Sequence, residues 1–380
     1  MVTGCGFVYG AAALVIGYNC ESSLQAANEQ LKEGRGDQVA GTLSALLWFY
    51  PDNKRARLLR GVSYNARGMF PEAISDLSRI GPDDQEFLDG GLSLGASLVS
   101  DGQLNRAVDV FQQHLHRFPG AVECRIRLSD IFVNLLKHGD AISLWEQHLR
   151  HFPADPSGLL RLLDIECEVV SPAPRITYLK NIQRRHPGQP DVLIALGRLS
   201  FMAGNISDAE GALREAASTI DAQDLRQTYL CELLLANGES EKAEQILSLI
   251  EPDSATESER VALYWHLTGR VQEAFRKSGS AAAAFRRAID ADPSRPEYYL
   301  SFASASRSMA ENAAAAAAAS EALRLSRAWE RLRQLALSLN RVDPSVEEVD
   351  EVAVNLAILH KTFQADHWRH VREMLQTGRP

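Results

Sequence analysis

The chain has 380 residues, a formal net charge of −9 and 45% hydrophobic residues. That length exceeds one ordinary globular domain and calls for two or three domains or one elongated array, while the apolar content, with Gly and Pro unenriched, excludes extended disorder. The acidic balance and the lack of any Lys/Arg block exclude nucleic acid as a partner, because phosphate backbones are held by clustered positive charge. The cysteines, Cys5, Cys20, Cys124, Cys167 and Cys231, are odd in number and lack paired metal spacing, which suggests neither a disulfide framework nor a zinc site.

At the N-terminus, "MVTGCGFVYGAAALVIGYNC" over 1–20 contains no charged side chain and carries an apolar run from Phe7 to Ile16. A spanning helix needs about 20 mostly apolar residues, so this stretch is at the short end, and four glycines weaken it. A basic n-region is missing, and Gly17, Tyr18 and Asn19 do not suit a lipidated Cys20. Three readings stay open: an uncleaved membrane anchor, a cleaved export signal, or a helix buried against the first repeat of the array that begins at residue 21.

From residue 21 the chain repeats every 34 residues. Alanine recurs at Ala73, Ala107, Ala141, Ala209 and Ala243, broken once by Arg175. Large apolar residues recur at Leu43, Leu77, Phe111, Trp145, Leu179, Leu213 and Leu247; glycines at Gly34, Gly68, Gly102, Gly204 and Gly238; prolines at Pro51, Pro119, Pro153 and Pro187. Columns that share a register mark an array of supersecondary units. A unit of two antiparallel helices explains each column. Glycine ends the first helix where the chain turns, alanine admits close backbone approach, the large residue fills the gap one turn later, and proline stops the second helix. Small residues at Ala27, Gly61, Gly95, Ser129, Gly197 and Cys231 sit on the first helices, where they accept the partner helix and make Cys231 a packing residue.

"SPAP" at 171–174 occupies the turn of a degenerate fifth unit and predicts a bend. The register shifts by four through "DSATESER" at 253–260 and resumes with Trp265, Gly269, Ala281, Phe285, Ala288 and Pro293. The alanine run 313–319 lies where a second helix is due, and alanine is the best helix former. Beyond Arg327 a helical cap is expected. "AWERLRQLALSLN" continues as helix, Pro344, Ser345 and Glu348 form a helix start, Val346, Val349, Val352, Leu356, Leu359 and Phe363 make one apolar face, and "DHWRHVREML" supplies a second short helix.

This pattern, best seen in "GVSYNARGMFPEAISDL" at 61–77 and "LGRLSFMAGNISDAEGALREA" at 196–216, resembles the tetratricopeptide repeat family. The resemblance implies an all-α, α-solenoid superhelix of antiparallel helix pairs, with about nine repeats over 21–327, a capping region over 328–380 and the N-terminal segment 1–20 as anchor or signal. It further implies a concave face, lined mainly by first helices, that binds peptides or helices of other proteins.

Two sets of residues are candidates for that face. Leu24, Leu58, Leu92, Ile126, Leu160 and Ile194 form an aliphatic column at the fifth position of successive units. It suits an amphipathic partner helix; equally it serves the core, since the preceding positions, often aromatic in the family, are Ser23, Arg57, Gly91 and Arg125. Arg127 and Asp130 recur as Arg161 and Asp164, to line the groove or to pair among themselves on a solvated face. The Lys and Asn with which part of the family clamps a partner's C-terminal carboxylate are missing, with Val62, Ala96, Asp130 and Asp164 in their places.

His114, His116, His148 and His151 come with no HExxH or cysteine pair, and the first of each pair stands in a packing column, so no metal site is expected there or at His367 and His370. No phosphate loop or nucleophile elbow is present. The expectation is a noncatalytic protein-interaction scaffold, membrane-associated through its N-terminal segment, with no cofactor and no small-molecule substrate. The alternative is a regulatory or substrate-recruiting subunit of an enzyme whose catalytic chain is separate.

Overall fold

The computed structural model describes residues 20–153, 155–167, 171–252, 258–339 and 345–377. The expected anchor over 1–20 lies outside the described residues except for Cys20. Among the described residues there are helices and no strands, and no helix is long and apolar enough to cross a membrane.

First and second helices alternate along the chain. The first pair is α1 (20–32) with α2 (Gly36–Phe49). Then come α3 (Lys54–Ala66), α4 (Phe70–Leu77), α5 (Phe87–Asp101), α6 (Leu104–Arg117), α7 (Val122–Asn134), α8 (His138–His151), α9 (Pro156–Cys167) and α10 (Pro172–Arg185). The series continues with α11 (Pro190–Met202), α12 (Ile206–Thr219), α13 (Thr228–Ala236), α14 (Ser240–Leu247), α15 (Ser258–Ala274), α16 (Ser278–Ala291), α17 (Pro296–Ser308) and α18 (Asn312–Leu339). A last pair, α19 (Val346–Ile358) and α20 (Thr362–Thr377), occupies the expected cap. Two compact units divide the chain at Ile131/Phe132, within α7. In each, successive helices pack side by side, and in the second unit the first helices α11, α13, α15 and α17 also touch in sequence, the stacking of an α-solenoid.

The repeat columns have the expected causes. A Cβ added at Gly95 would stand 2.3 Å from the Phe111 ring, and at Gly61, Gly197 and Gly269 it would stand 2.6, 2.4 and 2.4 Å from Leu77, Leu213 and Phe285. The small residue on each first helix is the socket for the large residue on its second. Ala73, Ala107, Ala141, Ala209 and Ala243 are all fully buried. Turn glycines Gly34, Gly68, Gly102, Gly204 and Gly238 have φ between 71° and 95°, the left-handed region that glycine enters at least cost. Where the column lacks glycine the conformation persists: Leu136 takes φ 57°, and after the register shift Arg276 and Ala310 take 58° and 63°. The helices before Pro51, Pro119, Pro153 and Pro187 each end two residues short of the proline.

The register shift lengthens the start of α15, which runs for 17 residues. Of "SPAP" only Ser171 stands outside a helix, as the N-cap of α10, while Pro172, Ala173 and Pro174 form its first turn; Arg175, in the alanine column, donates to the Val133 carbonyl at 3.1 Å. The expected boundary at 327/328 falls inside α18, a continuous helix of 28 residues, since nothing between Asn312 and Leu339 breaks a helix. Ser345 caps α19 with Glu348 in a reciprocal capping box.

Candidate partner-binding trough

The predicted site residues differ in exposure. In the first unit Leu58, Leu92 and Ile126 are half-buried, and Leu58 packs on the core of Ala73, Leu77 and Ile80. Arg127 is exposed and paired with Glu123 at 2.9 Å rather than with Asp130, which is also exposed. In the second unit Leu160 and Asp164 are half-buried, Arg161 is exposed, and Ile194 is 5% exposed on α11.

The position before the aliphatic column is filled in two ways. Arg57 and Arg125 are buried and reach back to the carbonyls of Pro51 and Pro119, so a guanidinium replaces the aromatic and satisfies a carbonyl of the turn that follows the preceding helix. Arg57 and Arg60 both bond the buried Asp76 carboxylate, Arg60 through Nε at 2.6 Å. At Gly91 the space belongs to His114: an added Cβ would stand 1.6 Å from Nε2, which lies 2.9 Å from the Phe87 carbonyl. His148, one unit after His114, packs beside Gly158, where an added Cβ would stand 3.2 Å from its ring, and its Nε2 lies 2.7 Å from Asp155. Both imidazoles are packing groups. Among the described residues no three His, Cys, Asp or Glu side chains are grouped to hold a metal ion. The buried thiols of Cys167 and Cys231 are pushed up to about 12, chiefly by burial, which removes thiolate character.

The described residues of the second unit form a concave feature. A trough of about 240 Å³ runs along the first helices α11, α13, α15 and α17, and the α7–α8 turn forms its other wall. Three contacts hold that turn in place. Lys137 Nζ meets Asp191 at 2.8 Å, Arg198 donates to the Leu136 carbonyl at 3.4 Å, and Arg260 meets Asp140 at 3.5 Å. Asp191 also accepts from Arg226 at 3.0 Å, and Arg226 clasps Asp224 at 2.6 Å. Burial would raise the Asp191 carboxyl, but the charges and hydrogen bonds of Lys137 and Arg226 outweigh it and hold the group below the ordinary carboxylate value.

The floor carries Arg198, whose guanidinium lies 4.4 Å over the Tyr229 ring, and beside them the half-buried Glu232. These three side chains also bound a second hollow of about 220 Å³ lined by Phe201, Met202, Leu213 and Leu233. A charged chamber and an apolar pocket thus share one wall. At the far end Arg295 pairs with Glu259 at 2.7 Å beside Glu297 and Tyr298. Of the predicted residues only Ile194 borders this system, in a small recess with Asp191, Arg198 and Arg226.

No family model matches the chain, and no curated protein matches it. Among solved structures, the chain is similar to MamA (residues 41 to end) from Desulfovibrio magneticus RS-1. That likeness is at 18% identity over 41% of this chain and 86% of that one, TM-score 0.34. It is also similar to the APC/C hetero-tetramer Cut9-Hcn1, at 13% identity over 95% and 92%, TM-score 0.39. A tetratricopeptide repeat protein from Parabacteroides merdae is similar at 15% identity over 62% and 92%, TM-score 0.30. Socket glycine, facing large residue and left-handed turn, recurring among the paired helices, are the elements of an α-helical repeat array.

Proposed function

We propose that the chain is a noncatalytic protein-interaction scaffold that takes a segment or helix of another protein into the trough on α11, α13, α15 and α17, and that residues 1–20 tether it to a membrane. The observation that carries the reading is the shared wall of Arg198, Tyr229 and Glu232, with charged groups on one side and the apolar pocket of Phe201, Met202, Leu213 and Leu233 on the other. A partner with alternating apolar and polar side chains fits both sides at once. The net charge of −9 supports a protein partner rather than a nucleic acid, and the uncharged stretch over 1–20 supports the tether.

The test is cross-linking of the full chain in its native membranes, followed by the same capture with Arg198→Ala and Tyr229→Ala together. The variant is expected to lose a cross-linked protein that the wild type captures, with helicity unchanged by circular dichroism. A partner captured equally by both overturns the trough as its site.

A further inference from the structure

Trp48 and Phe49, the last residues of α2, are 79% and 69% exposed, with ring centroids 4.7 Å apart in a T-shaped arrangement. The other tryptophans are sheltered: Trp145, Trp329 and Trp368 are buried, and Trp265 is half-buried under the Arg287 guanidinium. A single exposed aromatic needs no explanation, but two adjacent ones leave a large apolar area in water.

The place where the chain arrives gives that area a context. Cys20, at the start of α1, packs with Tyr50 on the core that α1 and α2 share, and accepts from Asn53 Nδ2 at 3.7 Å; its neighbour Glu21 pairs with Arg55 at 3.3 Å. The uncharged stretch 1–20, with its apolar run from Phe7 to Ile16, therefore joins the molecule at the end of the α1–α2 hairpin that carries Trp48 and Phe49. Basic groups near this end are neutralised: Arg55 by Glu21, and Lys54 by Asp84 at 3.4 Å.

We infer that Trp48 and Phe49 form a lipid-facing foot that sits at the membrane–water interface beside the N-terminal segment and turns this end of the hairpin toward the bilayer. The inference deepens the tethering reading above and rests on it. Aromatic side chains favour the interface because an apolar ring and the headgroup region suit one another. With the neighbouring basic groups paired, the attraction is apolar, so the foot takes zwitterionic lipid and needs no anionic headgroup.

The experiment uses the full chain reconstituted into phosphatidylcholine vesicles, compared with Trp48→Phe so that the difference in emission isolates Trp48. Trp48 is expected to shift to the blue, to lose its quenching by iodide, and to gain quenching by lipid brominated near the headgroup end of the acyl chain. A chain that floats with the vesicles while Trp48 stays open to iodide overturns the foot and leaves the tether standing. A Trp48 shielded from iodide yet unaffected by brominated lipid is covered by protein, either residues 7–16 or a second copy, and also overturns the foot. A chain that does not float with vesicles overturns tether and foot together.

Discussion

Phe111 is fully buried in the socket left by Gly95. Phe111→Ala is expected to cost about 3–5 kcal/mol in chemical denaturation, from lost transfer energy and the cavity left behind. Gly95→Ala adds about 1–3 kcal/mol of overpacking, partly offset by the roughly 0.5–1 kcal/mol by which alanine favours a helix. Because both changes act on one space, the double variant should be less destabilised than the sum of the two; strict additivity would deny the socket. A second residue-scale expectation concerns His266, whose ring is held down to about 4, first by burial and then by the Arg270 charge. It lies 3.0 Å from Ser301 Oγ and beside the Phe285 and Tyr298 rings. The unfolded imidazole takes its proton near 6.5 and the folded one does not, so stability is full above 6.5 and falls as pH drops toward 4, by on the order of 3 kcal/mol. His266→Gln should flatten the melting temperature against pH over that window, and an unchanged slope would remove His266 as its cause.

At the scale of elements, the repeat was legible because its causes are local and recur: a socket needs a small residue wherever a large one faces it, and a left-handed turn favours glycine. Even the exceptions keep the geometry. Ala310 is exposed and holds φ 63° where other units place glycine. Ala310→Gly relieves a left-handed residue that costs about 1–2 kcal/mol and gives back roughly 0.5–1 kcal/mol in chain entropy. A gain of about 1 kcal/mol in a urea titration is expected, and a loss would contradict the turn. The trough was not legible in the columns. Arg260 and Glu259 come from the extra length that the register shift puts at the start of α15, and Arg198 meets Tyr229 on the next first helix at a spacing of 31 rather than 34. A search for residues recurring in one column passes over both. The aliphatic column was visible for the same reason that the trough was not: its members repeat, and repetition reports packing more readily than recognition. The continuation of α18 past 327 was legible in "AWERLRQLALSLN", as no Gly or Pro interrupts 312–339, while the end of the array at 327 came from a fixed repeat length.

At the scale of the second unit, the largest departure from a simple array is that helices distant in sequence meet. Both α18 and α20 pack on α9. Lys361 Nζ lies 2.6 Å from Glu166 Oε1, with side chains only 19% and 5% exposed. Gln364 Nε2 donates to Glu166 at 3.1 Å and to Glu146 at 3.3 Å, and the Arg150 guanidinium lies 5.5 Å over the Phe363 ring. In an array whose units touch only their neighbours, stability is a sum of local terms, and damage at one end stays there. Here the damage should travel. Lys361→Met leaves Glu166 buried without its cation, a loss of about 3–5 kcal/mol, and amide exchange should quicken in α9 as well as in α20. Adding Glu166→Gln removes the stranded charge and should restore most of the protection, which separates the ion pair from any general disturbance of α20. Faster exchange confined to α19 and α20 would instead mean that these helices rest on α9 without supporting it. The second unit would then unravel from its C-terminal end like any open stack, whereas a joint response makes α9 and the last pair one cooperative element.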